Sequence, residues 1–184
     1  MGSFQLRDRP SAEGSPVAAK DTDGKLVSGE FVFRDRGDGQ LELVGDFDGL
    51  YRANADPWGQ SGEDSRMGAH YQYSRANLVR LISNLPRRPR VLEVGCGLGQ
   101  VCRQFADSGV VASASGADIG AVAIEKARRL QPDLEFFVAD VTAPEFVGTV
   151  GRWDVVILNQ LLWYVLDHLP TLLDNVHAAV APNG

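Results

Sequence analysis

Four short apolar runs in the second half of the chain constrain its fold more than any other feature. The first run is predicted as a strand over 90–94, and the second as a strand that ends near Asp118. The third and fourth are predicted as strands over 134–140 and 153–158. Segments with helical spacing of apolar residues are predicted as helices over about 100–108, 121–130 and 170–181. Strands that alternate with helices of about ten residues indicate βαβ units and a parallel sheet. Near-continuous apolar strands indicate helices on both faces, so we predict a doubly wound, mainly parallel α/β sheet.

The loop after the first strand has glycine at every second position, in the sequence VLEVGCGLGQ over 91–100. Gly95, Gly97 and Gly99 can adopt backbone angles that other residues avoid, and they let a ligand approach the main chain. Ligands of such sheets bind at the carboxyl ends of the strands, where this loop lies. The dinucleotide fingerprint G-x-G-x-x-G fails, because Gln100 stands at its last position. The loop therefore predicts a ligand other than a bound pyrophosphate.

Three carboxylates stand at successive strand ends: Glu93, Asp118 and Asp140. Asp118 follows the glycine loop at the spacing from which a carboxylate can bind both hydroxyls of a ribose. A carboxylate beside the loop disfavours phosphate and favours a cation. The pattern predicts a positively charged nucleoside without phosphates.

The segments VLEVGCGLG, GADIGAVAIEKAR, FFVADVT and RWDVVILNQLLWYVL, in this order, resemble the successive motifs of class I S-adenosylmethionine-dependent methyltransferases. The resemblance covers 88–184 and implies a Rossmann-like methyltransferase fold with S-adenosylmethionine as cofactor. It implies that the glycine loop lies along the methionine part, that Asp118 binds the ribose, that Asp140 and Val141 meet the adenine, and that Asn159 begins the segment facing the methyl group. The cofactor-binding candidates in this half are Glu93, Gly95, Cys96, Gly97, Gly99, Asp118, Ile119, Asp140, Val141 and Asn159.

The sequence departs from the family pattern at three points. Gly120 stands where the family usually has Ser or Thr, which removes a helix cap. The Asn-Pro-Pro-Tyr motif of amino-directed DNA and protein methyltransferases is replaced by Asn-Gln-Leu-Leu at 159–162. The family fold has seven strands, whereas four are predicted here. We therefore expect the domain over 88–184 to be C-terminally incomplete, with a partner supplying strands or a genuine minimal form as the alternatives.

The first half of the chain is predicted to be an N-terminal extension. Residues 1–24 are polar and aperiodic, which indicates a flexible tail. Residues 25–87 are predicted as a lid, with a hairpin over 25–45, loop formers next, and a helix that ends before Pro86. The apolar residues of that helix are Leu78, Leu81, Ile82 and Leu85.

Part of this extension, LYRANADPWGQSG followed by YQYSR, is similar to the N-terminal segment of the nodulation-protein-S type of small-molecule methyltransferase. Four side chains are predicted to close over the cofactor, with Arg75 meeting a carboxylate: Trp58, Tyr71, Tyr73 and Arg75. The alternative, packing of the N-terminal segment with a surface arginine, stays open.

Two histidines are candidates for a catalytic base. His168 follows the fourth strand near the predicted pocket mouth, and His70 precedes the aromatic YQY segment. Solvated loop histidines are the alternative for both. His177 falls off the apolar stripe of the last helix (Leu169, Leu172, Leu173, Val176 and Val180) and is predicted to be exposed, while Trp163 and Tyr164 are predicted to be core residues.

Composition narrows the functional classes. The 184 residues carry a formal net charge of −6, which disfavours a nucleic-acid partner. No apolar run approaches the roughly 20 residues that span a bilayer, and no signal peptide is visible, so we expect a cytoplasmic protein without a membrane partner. Two cysteines are too few for a disulfide framework or a zinc site, so no metal is expected.

The function predicted from the sequence is methyl transfer from S-adenosylmethionine to a small polar acceptor, by O- or N-methylation, with a sugar-like acceptor suggested by the nodulation-type similarity. One alternative is a non-catalytic or truncated domain that binds a cofactor or a partner. A second, disfavoured by the failed fingerprint, is an NAD(P)-dependent oxidoreductase. The sequence leaves open whether the chain forms a homodimer.

Overall fold

The computed structural model describes residues 31–35, 41–60, 66–182 and 184. The predicted tail over 1–24 lies outside the described residues, as do 25–30 and 36–40 of the predicted hairpin. Two strands, β1 (Phe31–Asp35) and β2 (Leu41–Gly45), pair antiparallel with Phe31 opposite Gly45. The hairpin is confirmed over these residues.

Two helices complete the N-terminal part, α1 (Phe47–Ala53) and α2 (Arg66–Ser83). The sequence predicts a loop where α1 lies, and that prediction is wrong. The Asp46 side chain caps α1 by accepting a hydrogen bond from the Gly49 N–H at 2.8 Å. A second carboxylate, Asp48, accepts from the Val122 N–H at 2.9 Å and fastens α1 to the central domain. Such caps satisfy helix N–H groups that would otherwise lack partners.

The central sheet has four parallel strands in the order β5-β4-β3-β6. Their bounds are β3 (Arg90–Val94), β4 (Ser113–Asp118), β5 (Glu135–Val138) and β6 (Val155–Leu158). In the register, Val91 lies opposite Ala114 on one side and Val155 on the other. The chain builds outward from β3 to β5 and then returns to the other side of β3. This reversal opens a crevice at the carboxyl ends of the strands.

Helices lie between and after these strands, three of them as predicted, whereas the helix between β5 and β6 was not predicted. Their bounds are α3 (Gln100–Ser108), α4 (Ala121–Leu130), α5 (Phe146–Val150) and α6 (Leu169–Ala179). Two short 3₁₀ turns, Leu162–Tyr164 and Leu166–His168, precede α6. Gly109 ends α3 in the left-handed conformation, with φ 67°.

Both faces of the sheet are covered, and the alternation of β3 shows how. Val91 belongs to one core, which Phe105 of α3 and Ile124 of α4 complete. Leu92 belongs to the opposite core, which contains Phe146 and Leu172. All six side chains are at most 1% exposed. The predicted doubly wound architecture is confirmed.

Some predicted apolar stripes are wrong in detail. On α2, Ile82 is buried, but Leu81 is 57% exposed, and Leu85, which lies beyond the observed end of the helix, is 42% exposed. Leu173 on α6 is 52% exposed, whereas the adjacent Leu172 is fully buried. Each helix contacts the domain along a narrow face, so residues one position away from it turn toward solvent.

Candidate active site

A cavity of about 290 Å³ lies at the carboxyl ends of the parallel strands. The central domain contributes Glu93, Val94, Gly95, Gly97, Val101, Asp118, Ile119, Ala139, Asp140, Val141, Thr142, Asn159, Gln160, Leu161, Tyr164, Val165 and His168. The N-terminal part contributes Phe47, Tyr51, Trp58, Gln60, Tyr71 and Arg75. Most of the predicted site residues from both halves of the chain therefore meet at one cavity.

The glycine loop lies close to its neighbours on two sides. The N–H groups of Gly95 and Cys96 donate to the Ala117 carbonyl at 2.8 and 3.1 Å, which ties the loop to β4. Gly97 has φ 52°, and a Cβ there would lie 2.6 Å from the Tyr51 hydroxyl oxygen. Gly99 has φ 75°, and a Cβ there would lie 2.5 Å from the Phe136 ring. Neither position accepts a side chain, so close packing against Tyr51 and Phe136 requires glycine at both.

Replacing Gly99 by alanine should destabilise the fold by about 2–4 kcal/mol, because the new methyl group overlaps the buried Phe136 ring in a left-handed backbone. Gly109→Ala is the matched control for backbone strain alone, since Gly109 has φ 67° and ψ 9°, close to the φ 75° and ψ 23° of Gly99, and a Cβ there would meet only the Arg88 guanidinium, at 3.2 Å. Gly148→Ala has neither problem. Chemical denaturation of the three variants should rank them in this order. A Gly99→Ala loss no larger than that of Gly109→Ala would contradict the packing argument.

Asp118 ends β4 and is 9% exposed. Its Oδ2 accepts from the Gly97 N–H at 2.9 Å, and its Oδ1 accepts from the Gly120 N–H at 2.8 Å. Burial raises the pKa of Asp118, and the two backbone hydrogen bonds partly oppose that rise. Each carboxylate oxygen keeps a second lone pair, so the group can receive a pair of hydroxyl donors from a ligand.

Glu93 is a buried carboxylate with neutral hydrogen-bond donors. It is 3% exposed, and the Cys102 thiol donates to its Oε2 at 3.5 Å. The Asn159 side chain also hydrogen-bonds it. Burial raises the pKa of Glu93 to about 8, and these hydrogen bonds together with the more distant charge of Arg75 only partly oppose the rise. A buried carboxylate with neutral partners is suited to a cationic ligand.

Arg75 of α2 is the buried cation of the cavity wall, at 9% exposed. Its Nη1 donates to the Gln60 carbonyl at 3.1 Å and to Gln100 Oε1 at 3.3 Å. Among the described residues no carboxylate lies within ion-pair distance of Arg75. Burial lowers the pKa of Arg75, and the charge of Glu93 opposes that shift. Arg75 is placed to meet an anionic group of a ligand.

Asp140 lines the cavity in a tight turn after β5. Its Oδ1 accepts from both the Thr142 N–H at 2.8 Å and the Thr142 hydroxyl at 2.7 Å. Asn175 of α6 donates to the carbonyls of Val141 and Ala143, at 2.8 and 2.9 Å, and fixes this turn from below. These turn contacts end the strand earlier than the predicted 140.

Tyr51 was missed as a site residue by the sequence analysis. It is 3% exposed on α1, and its hydroxyl accepts from Trp58 Nε1 at 3.1 Å. Burial and the nearby charge of Asp118 raise the pKa of Tyr51, so this phenol stays protonated. The signal was present, because Tyr51 lies within the LYRANADPW segment that carries the nodulation-type similarity.

Four candidates do not line the cavity. Tyr73 of α2 is 72% exposed. Cys96 is buried beneath the loop and packs on Gly116, and Gly99 faces Phe136. His70 is exposed and does not line the cavity itself. It lies 2.9 Å from the side chain of Gln160, which does line the cavity.

The other histidines and the aromatic residues after β6 were also assigned positions from the sequence. His168 lines the cavity from an exposed position, and His177 on α6 is exposed. Tyr164 was predicted to be a core residue, but it lines the cavity. Its ring packs edge-on against Phe47, with the ring centroids 5.7 Å apart. The Trp163 side chain is outside the described part of the chain.

In the part of the chain that the structure describes, no helix has the length and apolar character needed to cross a membrane. Groups of three or more side chains placed to hold a metal ion are absent from the same residues.

Solved structures are similar to this chain in fold. N-methyltransferase NodS from Bradyrhizobium japonicum WM9, in complex with S-adenosyl-L-homocysteine, is 22% identical with TM-score 0.58, and the match covers 72% of this chain and 66% of that chain. A TehB-like SAM-dependent methyltransferase from Corynebacterium glutamicum is 20% identical with TM-score 0.53, covering 73% and 67%. Magnesium protoporphyrin IX methyltransferase (ChlM) from Synechocystis PCC 6803, with bound SAM, is 18% identical with TM-score 0.54, covering 68% and 65%. The match thus spans about two thirds of each of these chains.

No curated protein matches the chain in sequence. A family model described as a methyltransferase domain matches residues 67–184. This match includes the glycine loop, all four parallel strands and most of the cavity wall. The chain therefore belongs to the methyltransferase-domain family and has the Rossmann-like fold of the class I S-adenosylmethionine-dependent methyltransferases.

Proposed function

We propose that the chain binds S-adenosylmethionine in this cavity and transfers its methyl group to the nitrogen or oxygen of a small polar acceptor. The observation that carries the proposal is the pair of buried carboxylates, Glu93 and Asp118, in a cavity whose buried cation, Arg75, lies beyond ion-pair distance from both. Such a cavity favours a ligand with positive charge and hydroxyl donors. S-adenosylmethionine has a sulfonium, an ammonium and two ribose hydroxyls.

The donor set fits each part of this cofactor. Glu93 would hold the ammonium group, and Arg75 would meet the carboxylate of the methionine part. Asp118, already fixed by two backbone N–H groups, would accept from the ribose hydroxyls. Ile119, 54% exposed at the cavity, and the buried Val141 would cover the two faces of the adenine.

When bound, S-adenosylmethionine supplies a methyl group on a positively charged sulfur, which an acceptor lone pair takes as the carbon–sulfur bond breaks. The chain itself contributes alignment and exclusion of water. Aromatic side chains of both parts of the chain line the cavity, and the Trp58 ring of the N-terminal part lies 6.0 Å from the Tyr164 ring of the central domain. Asn159, at the end of β6, would face the reacting groups.

The acceptor atom decides whether a base is needed. A neutral amine attacks without one, whereas a hydroxyl benefits from a positioned base. His168 lines the cavity and could take that proton. NodS is by name an N-methyltransferase, and its similarity to this chain is one argument for nitrogen. A sugar-like acceptor remains part of the proposal on the same similarity.

Calorimetric titration with S-adenosylhomocysteine tests the cofactor assignment, with NADH as the control ligand. We expect binding of S-adenosylhomocysteine in the micromolar range and no measurable binding of NADH. Preference for NADH would revive the oxidoreductase alternative, which family membership opposes. A folded chain that binds neither ligand would overturn the proposal.

A cofactor-binding domain without transferase activity is the second candidate function. The cavity wall includes a part of the chain outside the family match, with Phe47, Tyr51 and Trp58, so the family match does not account for the whole cavity. Turnover separates the two candidates: a transferase forms S-adenosylhomocysteine with an acceptor present, and a binding domain does not.

A further inference from the structure

Helix α2 reaches the end of β6 through two side-chain hydrogen bonds. Ser74 donates from its hydroxyl to Asn159 Oδ1 at 3.1 Å, and His70 Nε2 lies 2.9 Å from Gln160 Nε2. His70 and Ser74 are four positions apart, so they lie on one face of the helix. Their partners are consecutive residues at the mouth of the cavity. One helix face therefore holds both polar side chains that follow β6.

The backbone of Gln160 is in the left-handed region, with φ 58°. Among the described residues it is the one non-glycine residue with a positive φ. This conformation is unfavourable for a residue with a side chain, and it persists where surrounding contacts impose it, often at functional sites. The side chain of this residue is held by its contact with His70.

The contact also fixes the direction of the Gln160 amide. Two nitrogens at hydrogen-bond distance require one donor and one acceptor. The amide nitrogen can only donate, so from this geometry we assign Nε2 of His70 as the acceptor and place the histidine proton on Nδ1. His70 lies outside the cavity, whereas Gln160 lines it. With its nitrogen committed to His70, the amide leaves its carbonyl oxygen as the group available to a ligand.

We propose that Gln160 determines acceptor specificity and that His70 is the residue that positions it. The Gln160 carbonyl oxygen accepts a hydrogen bond from an N–H or O–H of the acceptor, so the substrate class is a primary or secondary amine or an alcohol. A site built to accept such a hydrogen bond rejects analogues that lack the donor, because its polar group is then left unpaired. This inference depends on the proposed methyl transfer.

The first test measures positioning in the chain saturated with S-adenosylhomocysteine. Nitrogen NMR of the His70 ring should show the proton on Nδ1, with an Nε2 signal that changes in Gln160→Ala. His70→Ala should shift the backbone amide signals of 159–161, and His70→Gln, whose carbonyl can accept the same hydrogen bond, should restore them in part. His177→Ala is the matched control, an exposed histidine on α6. A proton on Nε2, or unchanged signals in His70→Ala, would overturn the positioning assignment.

The second test measures specificity with a fixed panel of small primary amines, secondary amines, alcohols, tertiary amines and thioethers, scored by formation of the methylated product. For the best donor-bearing probe, Gln160→Ala should lower kcat/KM about tenfold or more, mainly through KM, with little change in affinity for S-adenosylhomocysteine. His70→Ala should lower kcat/KM by a smaller factor and should add nothing in the Gln160→Ala background.

Each failure has its own meaning. If the chain binds S-adenosylhomocysteine but methylates only tertiary amines or thioethers, or none of the probes, the assigned substrate class is wrong. An equal loss of cofactor affinity in Gln160→Ala would also overturn the assignment, because the residue would then serve the cofactor. If the chain does not bind S-adenosylhomocysteine at all, the proposed function fails instead.

Discussion

Asp118→Ala is expected to lower affinity for S-adenosylhomocysteine by about ten- to a hundredfold, since hydrogen bonds to a charged group contribute about 1.5–3 kcal/mol. Two effects act together. The ribose hydroxyls lose their acceptor, and the N–H groups of Gly97 and Gly120 lose the oxygens that now fix them at 2.9 and 2.8 Å. The second effect loosens the glycine loop itself. Calorimetric titration of the variant against the parent chain gives the affinity ratio.

Asp133→Asn is the matched control, because it also removes one carboxylate charge. Asp133 forms an ion pair with Arg103 on the surface, with 61% of its side chain exposed, and does not line the cavity. Exposed pairs contribute little, so its affinity should equal that of the parent. Thermal unfolding of Asp118→Ala separates loss of binding from loss of fold. A folded Asp118→Ala variant with parental affinity would remove Asp118 from the cofactor site.

The central domain was predictable because its signals are local. Each parallel strand is a short apolar run, and the residues that end the helices, such as Gly109, act through their own backbone conformation. The observed bounds of β3, α3 and α4 agree with the predicted ones. The carboxylates at the strand ends could be placed at one cavity because parallel strands end at the same edge of a sheet.

The features that the sequence did not predict depend on contacts between residues that are distant in the sequence. Helix α1 has only seven residues and contains Gly49, so its local preference is weak. It is held by Asp48 on the Val122 N–H, a contact 74 positions away that no local pattern shows. The contact between Gln160 and His70 of α2 could not be predicted either, since the two residues are 90 positions apart.

Glu93 links the stability of the fold to cofactor binding. Its pKa rises from 4.5 to about 8 in the folded chain because it is buried. Between these two values the folded chain keeps the proton and the unfolded chain has lost it, so stability falls as the pH rises from about 4.5 to about 8. Below pH 4.5 Glu93 is protonated in both the folded and the unfolded chain, so it does not lower the stability. Above about pH 8 both are ionised, and the full cost, on the order of 4 kcal/mol, is present.

Glu93→Gln should therefore stabilise the cofactor-free chain, and the gain should grow by on the order of 3 kcal/mol between pH 5 and pH 8.5. Urea denaturation of parent and variant at several pH values measures this difference directly. Glu135→Gln removes an exposed carboxylate at the start of β5 and should show no such growth. A Glu93→Gln gain that does not change with pH would show that the carboxyl is not protonated in the folded state.

The same substitution should weaken cofactor binding, so the two effects have opposite signs. The ammonium group of S-adenosylhomocysteine favours the ionised carboxylate, so binding to the parent should release a proton and strengthen from pH 6 to about pH 8. Glu93→Gln has no proton to release there, and its affinity should lose that part of the pH dependence. Calorimetry in two buffers with different ionisation enthalpies measures the released proton. The ionised Glu93 side chain lowers the stability of the cofactor-free fold, and the ammonium group of the ligand would neutralise its charge. This combination is expected of a site that binds a cation. Equal proton release by parent and variant would assign the ammonium group to another residue.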